Sequence, residues 1–272
     1  MEESLLSAIG VGKRFGGLRA LDAIDLEVPK GRIHAVIGPN GAGKTTFFNC
    51  LTSFVHPSAG EIWLNGERID GLRPDLVAVR GVARTYQNIR LFPDLTALEN
   101  IMVGFDAKEP ESILGALFAT RAHRRQVEAV TARANDLLRA LGLAGRGDRL
   151  AKHLAYGEQR RLEIARALAI EPVVLLLDEP AAGMNPVESH AMMELIGRLR
   201  DAYGLTILLI EHQMRVVMGI SERISVLDHG ALIAEGTPEE IRADPTVIAA
   251  YLGARAAKHG MDALKTGEKA DA

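Results

Sequence analysis

A glycine-rich segment with one lysine is the part of the chain best suited to bind phosphate groups. Residues 38–45 read GPNGAGKT, which fits the spacing G-x-x-x-x-G-K-[S/T]. Glycines allow several backbone N–H groups to converge on one anion, and the helix that follows adds its positive N-terminal end. Lys44 would neutralise the β- and γ-phosphates of a nucleotide, and Thr45 would ligate Mg²⁺. The predicted nucleotide contacts in this segment are Gly38, Pro39, Asn40, Gly41, Ala42, Gly43, Lys44, Thr45 and Thr46.

Two adjacent carboxylates follow an apolar run of strand length. Residues 173–177 read VVLLL and lead directly into Asp178 and Glu179. In open α/β sheets, ligands bind at the carboxyl ends of the strands. Asp178 would hold Mg²⁺ through water, and Glu179 would orient and polarise an attacking water molecule. A solvated strand end is the alternative interpretation, but it is weaker in a chain that already carries a phosphate-binding segment.

The elements that must position these residues are readable from hydrophobic periodicity. Alternation of apolar and acidic residues over 24–28 predicts a half-buried strand near the N-terminus, and 33–37 and 206–210 predict fully buried strands. Apolar residues at helical spacing predict helices at about 127–141 and 158–169. Asn185 and Pro186 predict a helix start, with Glu188 completing a capping box. The sequence thus indicates a β-rich start and an α/β core interrupted by a helical insert at about 90–160.

Composition sets limits on the class of protein. The chain has 272 residues, 47% hydrophobic and 25% charged, which is the balance of a globular protein rather than a disordered or collagen-like one. A formal net charge of −3 disfavours a protein that coats nucleic acid. The single cysteine, Cys50, fits a reducing compartment. Acidic residues at positions 2 and 3 disfavour a signal peptide, and the apolar runs are too short to predict a membrane span.

With these motifs placed, residues 4–253 resemble the ATP-binding-cassette (ABC) family. Residues 154–160 read LAYGEQR and are similar to the family's LSGGQ signature, and Gly157 lies 21 residues before Asp178. The resemblance implies that this loop faces the γ-phosphate held by another subunit, so that two cassettes pair head to tail around two ATP molecules. Ala155 replaces the signature serine and Tyr156 its first glycine. The resemblance implies nucleotide contacts by Tyr156, Gly157 and Glu158.

Further residues match the family one by one. Gln87 in RTYQN resembles the glutamine that links Mg²⁺ and the attacking water to the helical insert. His212 in IEHQ resembles the histidine that contacts the γ-phosphate, although Gln213 stands where many members have aspartate. Phe15 resembles the aromatic residue that stacks on adenine, and Asn185 lies in a loop that resembles the one crossing the dimer interface. In isolation each match is weak, but their order along the chain favours the functional interpretation.

The resemblance implies a complete architecture. It is a P-loop NTPase core with an N-terminal antiparallel β subdomain and an inserted helical subdomain. Beyond the resemblance, the Ala-, Lys-, Gly- and Asp-rich composition of 254–272 predicts a flexible tail. Residues 81–104, 154–168 and 177–186 are most similar to ATP-binding subunits of branched-chain amino-acid importers. The implied cofactors are ATP and Mg²⁺, and the implied metal-site residues are Thr45, Gln87 and Asp178. The implied partners are multi-span permease subunits, a second ATP-binding subunit and a solute-binding protein, at the cytoplasmic face of a membrane and without nucleic acid.

Several alternatives stay open at this point. Urea and amide importers have closely similar ATP-binding subunits, so the substrate rests on resemblance alone. A soluble cassette protein without a transport role is disfavoured because the chain has one phosphate-binding segment and no sustained heptads. A P-loop kinase or GTPase would leave the LAYGEQ segment and His212 unexplained. The apolar run at 112–120 is either an amphipathic contact with membrane or permease or, as we favour, a short helix packed on the insert.

Overall fold

The computed structural model describes residues 4–108 and 120–251. The strands are β1 (Ser4–Phe15), β2 (Leu18–Pro29), β3 (Ile33–Ile37), β4 (Ala59–Leu64), β5 (Glu67–Arg68), β6 (Val82–Arg84), β7 (Val174–Asp178), β8 (Thr206–Ile210), β9 (Arg223–Asp228) and β10 (Ala231–Gly236). The helices are α1 (Lys44–Leu51), α2 (Pro74–Val79), α3 (Ala97–Lys108), α4 (Arg121–Ala140), α5 (Tyr156–Leu168), α6 (Pro186–Tyr203), α7 (Met214–Ile220) and α8 (Pro238–Ala243), with a 3₁₀ turn at Ala151–His153.

A six-stranded sheet forms the centre of the molecule, in the order β10-β9-β3-β8-β7-β6. Neighbouring strands from β9 to β6 run parallel, and only β10 is antiparallel. Every residue of β3, β7 and β8 is buried, which explains the unbroken apolar runs. Because these strands are parallel, the loops that follow β3, β6, β7 and β8 all leave the same edge of the sheet. Lys44, Gln87, Glu179 and His212 follow these four strands in turn.

Strands from the N-terminal part of the chain form an antiparallel sheet in the order β2-β1-β4-β5. Asn65 and Gly66 make the turn between β4 and β5, both with positive φ (49° and 77°). Buried side chains of this sheet and of α1 form one apolar cluster with the faces of β7 and β8 that point to it. The predicted fold class, an α/β core with an antiparallel β subdomain and a helical insert, is confirmed.

The helical insert lies between β6 and β7 and contains α3, α4 and the start of α5. Of the apolar positions that predicted the helix at 127–141, Ala134, Leu138 and Leu141 are buried, and Val127 is half-buried. The predicted start of α5 at Glu158 was wrong by two residues, since the helix begins at Tyr156. Glu158 lies in its first turn, and its side chain accepts the N–H of the capping residue Ala155. Residues 112–119 of the predicted apolar segment 112–120, and the whole predicted tail 254–272, lie outside the described residues.

The structure also fixes the boundaries of α6 and β7, which the sequence predicted. The Asn185 side chain accepts hydrogen bonds from the N–H groups of Val187 and Glu188, and Glu188 bonds back to the Asn185 N–H, so the predicted capping box is confirmed. β7 begins one residue later than predicted, at Val174, and Asp178 is its last residue. Over residues 4–108 and 120–251, no helix combines the length and apolar character that crossing a bilayer requires.

Candidate active site

The loop after β3 has a backbone that only glycine fits at two positions. A Cβ on Gly38 (φ 149°) would lie 2.0 Å from the Leu227 carbonyl oxygen, and one on Gly43 (φ 102°) would lie 2.7 Å from that of Ala20. The loop is therefore pressed against β9 and against the β1–β2 hairpin. Helix α1 begins at Lys44 without a side-chain cap, so the N–H groups of its first turn have no side-chain acceptor. Such a helix start attracts anions.

Lys44 lies across this loop. Its Nζ donates hydrogen bonds to the carbonyl oxygens of Gly38 (2.7 Å) and Pro39 (2.9 Å). Burial lowers the pKa of Lys44, while the carboxylates of Glu179 and Asp178 act in the opposite direction. The lysine is thus a buried cation that both predicted acidic residues favour electrostatically. The arrangement of glycines, helix start and lysine fits the phosphate groups of a nucleotide.

Three predicted catalytic residues meet at the edge of the parallel sheet. The Gln87 Nε2 donates a hydrogen bond of 2.9 Å to the Oε2 of Glu179, and the His212 Nδ1 lies 3.6 Å from the Glu179 Oε1. They come from the loops after β6, β7 and β8. Glu179 has φ 50°, a left-handed conformation that costs a non-glycine residue about 1–3 kcal/mol. Its N–H donates to the Ile210 carbonyl oxygen (2.9 Å), which holds this conformation in place.

A buried ion pair that sequence reasoning missed holds Asp178. The Nη2 of Arg84 lies 2.9 Å from the Asp178 Oδ2, and the two side chains are 4% and 5% exposed. Arg84 also donates to the Asn49 Oδ1 (2.7 Å) and lies over the rings of Phe48 and Tyr86. Arg84 contacts one carboxylate oxygen of Asp178, and the Thr45 side chain is exposed, so both residues offer hard oxygen donors. Such donors are of the type that Mg²⁺ prefers.

The predicted signature residues lie at the start of α5. The Glu158 Oε2 accepts the Ala155 N–H (3.0 Å) and its Oε1 pairs with Arg146 (2.8 Å). The hydrogen bonds from Arg146 and from the Ala155 N–H hold the pKa of Glu158 below its usual value. Glu158 therefore stabilises the helix start that an anion would face. Gly157 has open space where a Cβ would be.

The loop after β7 is held by a second missed residue, Glu211. Its fully buried carboxylate accepts the N–H groups of Ala181 (3.0 Å) and His212 (3.2 Å). Burial raises the pKa of Glu211. Glu211 thus ties the loop that carries His212 to the loop that leads to Asn185. An acidic residue next to a predicted catalytic histidine is the only sequence signal that pointed to it.

Phe15 lies apart from the catalytic cluster, at the end of β1. Its ring is half exposed, and the Nζ of Lys13 lies 5.0 Å from the ring centre. The β1–β2 hairpin that carries it reaches the glycine-rich loop through the Ala20 carbonyl oxygen. An exposed aromatic ring on this hairpin is available for stacking on a flat ligand.

Comparison with known proteins identifies the family. The sequence profile of the ABC transporter family matches residues 21–182, and that of the branched-chain amino acid ATP-binding cassette transporter matches residues 231–257. The chain is 48% identical to the high-affinity branched-chain amino acid transport ATP-binding protein LivG of Salmonella typhimurium, over 93% of this chain and 99% of that protein. It is 47% identical to BraF of Pseudomonas aeruginosa, a protein with the same description, over the same shares of the two chains.

Solved structures agree with the sequence comparison. The crystal structure of the ADP conformation of an ATP-binding cassette of an ABC transporter superposes with a TM-score of 0.80, at 32% identity. The superposition covers 92% of this chain and 99% of that one. The resemblance predicted from residues 154–160, Gln87 and His212 is confirmed at the level of the family: this chain belongs to the ABC transporter family, as one of its ATP-binding cassettes.

Proposed function

We propose that this chain is the ATP-hydrolysing subunit of a membrane importer for branched-chain amino acids. The observation that carries hydrolysis is the convergence of Gln87, Glu179 and His212 on the side of the sheet where Lys44 lies. The substrate class rests on the 47–48% identity with LivG and BraF and on the matching C-terminal profile at 231–257. Lys44, Glu179 and His212 together favour an active enzyme over a purely regulatory cassette.

Each site residue would have its own role in the transfer of the γ-phosphoryl group to water. Lys44 would move from the Gly38 and Pro39 carbonyl oxygens to the β- and γ-phosphates, exchanging weak neutral acceptors for charged ones. When bound, Mg²⁺ would neutralise phosphate charge, held by Thr45, Gln87 and Asp178. Glu179 would accept a hydrogen bond from the attacking water and orient it, and the His212 ring would contact the γ-phosphate.

Pairing with a second cassette would complete each site. The start of α5, with Tyr156, Gly157 and Glu158, presents a helix N-terminus in which Glu158 is already bound to Arg146. Facing the γ-phosphate of a partner subunit, it would supply backbone N–H groups where Ala155 lacks the hydroxyl of serine. ATP would then close the dimer and hydrolysis would reopen it. Closure would move separate permease subunits, with this chain at the cytoplasmic face of the membrane and a solute-binding protein on the other side.

The test is a copurification from native membranes. A tagged Glu179→Gln chain is trapped with ATP and Mg²⁺, the membranes are extracted in mild detergent, and the retained proteins are identified by mass spectrometry. We expect multi-span permeases and a second cassette. The matched control is Lys44→Ala, which should not respond to ATP.

The recovered system then tests the substrate. Its solute-binding protein is titrated with leucine, isoleucine, valine and urea by calorimetry. Binding of the three branched-chain amino acids supports the proposal. Binding of urea alone would contradict the proposed substrate class and leave the proposed ATP-hydrolysing role unaffected. Recovery of soluble partners only would contradict the importer role.

A further inference from the structure

A buried arginine on α5 holds the backbone of the loop that carries Gln87. Arg160 is 1% exposed, and its Nη1 and Nη2 donate hydrogen bonds of 2.5 Å to the carbonyl oxygens of Tyr86 and Gln87. The two contacts use both ends of one planar guanidinium, a geometry that lysine does not reproduce. The carbonyl of Gln87 is therefore fixed from the helical insert, while its side chain points to Glu179.

A buried glutamate one turn further along α5 binds backbone N–H groups of the same loop. The Glu163 Oε1 accepts the N–H groups of Tyr86 (3.4 Å) and Arg90 (3.1 Å), and its Oε2 lies 3.2 Å from the Arg160 Nη1. Burial raises the pKa of Glu163. Arg160 and Glu163 thus bind donors and acceptors on both sides of Gln87. The loop is fastened to α5 through its main chain.

The unusual tyrosine of the signature loop joins this cluster. The Tyr156 hydroxyl lies 3.1 Å from the Arg160 Nη2, and the edge of its ring lies 3.5 Å from where a Cβ of Gly183 would be. Tyr156 therefore bonds the guanidinium that holds Gln87, and its ring lies beside the loop between Glu179 and Asn185. A glycine at position 156 would have no hydroxyl for Arg160.

We propose that Tyr156, Arg160 and Glu163 form a positioning link that sets the placement of Gln87 from the orientation of the signature loop. The proposal rests on the catalytic role proposed for Gln87. When the start of α5 shifts, the two carbonyl oxygens held by Arg160 shift with it. The Gln87 amide then reaches or loses Glu179. None of the three linking residues needs to touch nucleotide for this effect.

The energetics favour a role in geometry over a role in stability. Replacing a buried ion pair with apolar residues is often neutral or stabilising. Within the described part of the chain, the Arg160 Nε is buried with no hydrogen-bond partner, which is a further cost. A well-packed apolar residue would serve a purely structural core better. An apolar residue could not donate the two hydrogen bonds that Arg160 makes to the carbonyl oxygens of Tyr86 and Gln87.

The test is ATP hydrolysis by the full-length chain carrying Arg160→Lys, alone and with Gln87→Ala. Lysine keeps the charge but does not hold both carbonyl oxygens. We expect kcat to fall by about 10- to 100-fold, the scale of a misplaced catalytic group, with the KM for ATP within about twofold of wild type. In the Gln87→Ala background, Arg160→Lys should lower kcat no further. The matched control is Arg73→Lys, an exposed arginine before α2 that pairs with Asp75 and should leave kcat unchanged.

Each other outcome has a definite meaning. An equal loss of kcat from Arg160→Lys in both backgrounds, or no loss at all, overturns the link while leaving the role of Gln87 intact. Wild-type kcat in Gln87→Ala alone overturns the proposed role of Gln87 and the link with it. If Arg160→Lys does not fold, Tyr156→Phe replaces it, because it removes only the hydroxyl. It should lower kcat by about 3- to 10-fold, the worth of one hydrogen bond, and only when Gln87 is present.

Discussion

Removing Arg84 should destabilise the protein far more than removing a surface arginine. Arg84→Met removes the guanidinium that lies over Phe48 and Tyr86, and Asp178, 5% exposed, loses the counter-charge in contact with it. Breaking a buried pair from one side costs about 3–5 kcal/mol, since an uncompensated charge remains. Domains have a total stability of about 5–15 kcal/mol, so a loss of this size is a large fraction. Urea unfolding of the full-length chain without Mg²⁺ measures the free energy of unfolding directly.

The matched control is Arg73→Met. Arg73 pairs with Asp75 at 2.7 Å, but the side chains are 78% and 57% exposed, so its loss should cost about 0–1 kcal/mol. Adding Asp178→Asn to Arg84→Met should recover about 2 kcal/mol or more, because the uncompensated charge is then gone. Equal losses in Arg84→Met and Arg73→Met, or a double variant as unstable as the sum of the single ones, would refute this reasoning.

Three further predictions concern single residues. Lys44→Ala should weaken ATP binding by at least about 10-fold in calorimetry, since a charged donor to phosphate is lost; unchanged affinity would contradict the phosphate-loop assignment. Asn185→Ala should lower the unfolding free energy by about 1 kcal/mol in urea, because two N–H groups of α6 lose their acceptor. Burial raises the pKa of Glu211 above the ordinary 4.5, so the folded protein binds this proton more tightly than the unfolded chain. The stability of wild type relative to Glu211→Gln should thus rise as pH falls through the folded pKa towards 4.5, and a pH-independent difference would contradict it.

The parts of the fold that sequence predicted well are those with a local pattern. Unbroken apolar runs predicted β3, β7 and β8, since strands covered on both faces need no polar positions. Capping chemistry predicted the start of α6 at Asn185, because the acceptor and the helix start are neighbours in the chain. Family resemblance, rather than periodicity, supplied Gln87 and the residues at 154–160.

The missed residues act over long distances in the sequence. Arg84 and Asp178 meet because β6 pairs in parallel with β7, and β6 has only three residues, too few for a periodic signal. Arg160 follows the signature on a helix, and arginine is mostly an exposed residue type, yet Arg160 is buried against the Gln87 loop. Such pairs depend on tertiary contacts that no single-sequence pattern encodes. The domain limits 4–253 and the roles of the site residues stay predictions.

A single-turnover assay of Glu179→Gln tests the proposed role of Glu179 in ATP hydrolysis most directly. The amide keeps the size of the side chain and a hydrogen-bond acceptor but is not a base. We expect ATP affinity within about twofold of wild type and hydrolysis slowed by at least about 10²-fold, the scale for loss of a positioned base. Near-wild-type hydrolysis would remove Glu179 from its role and contradict the catalytic cluster on which the proposed function depends.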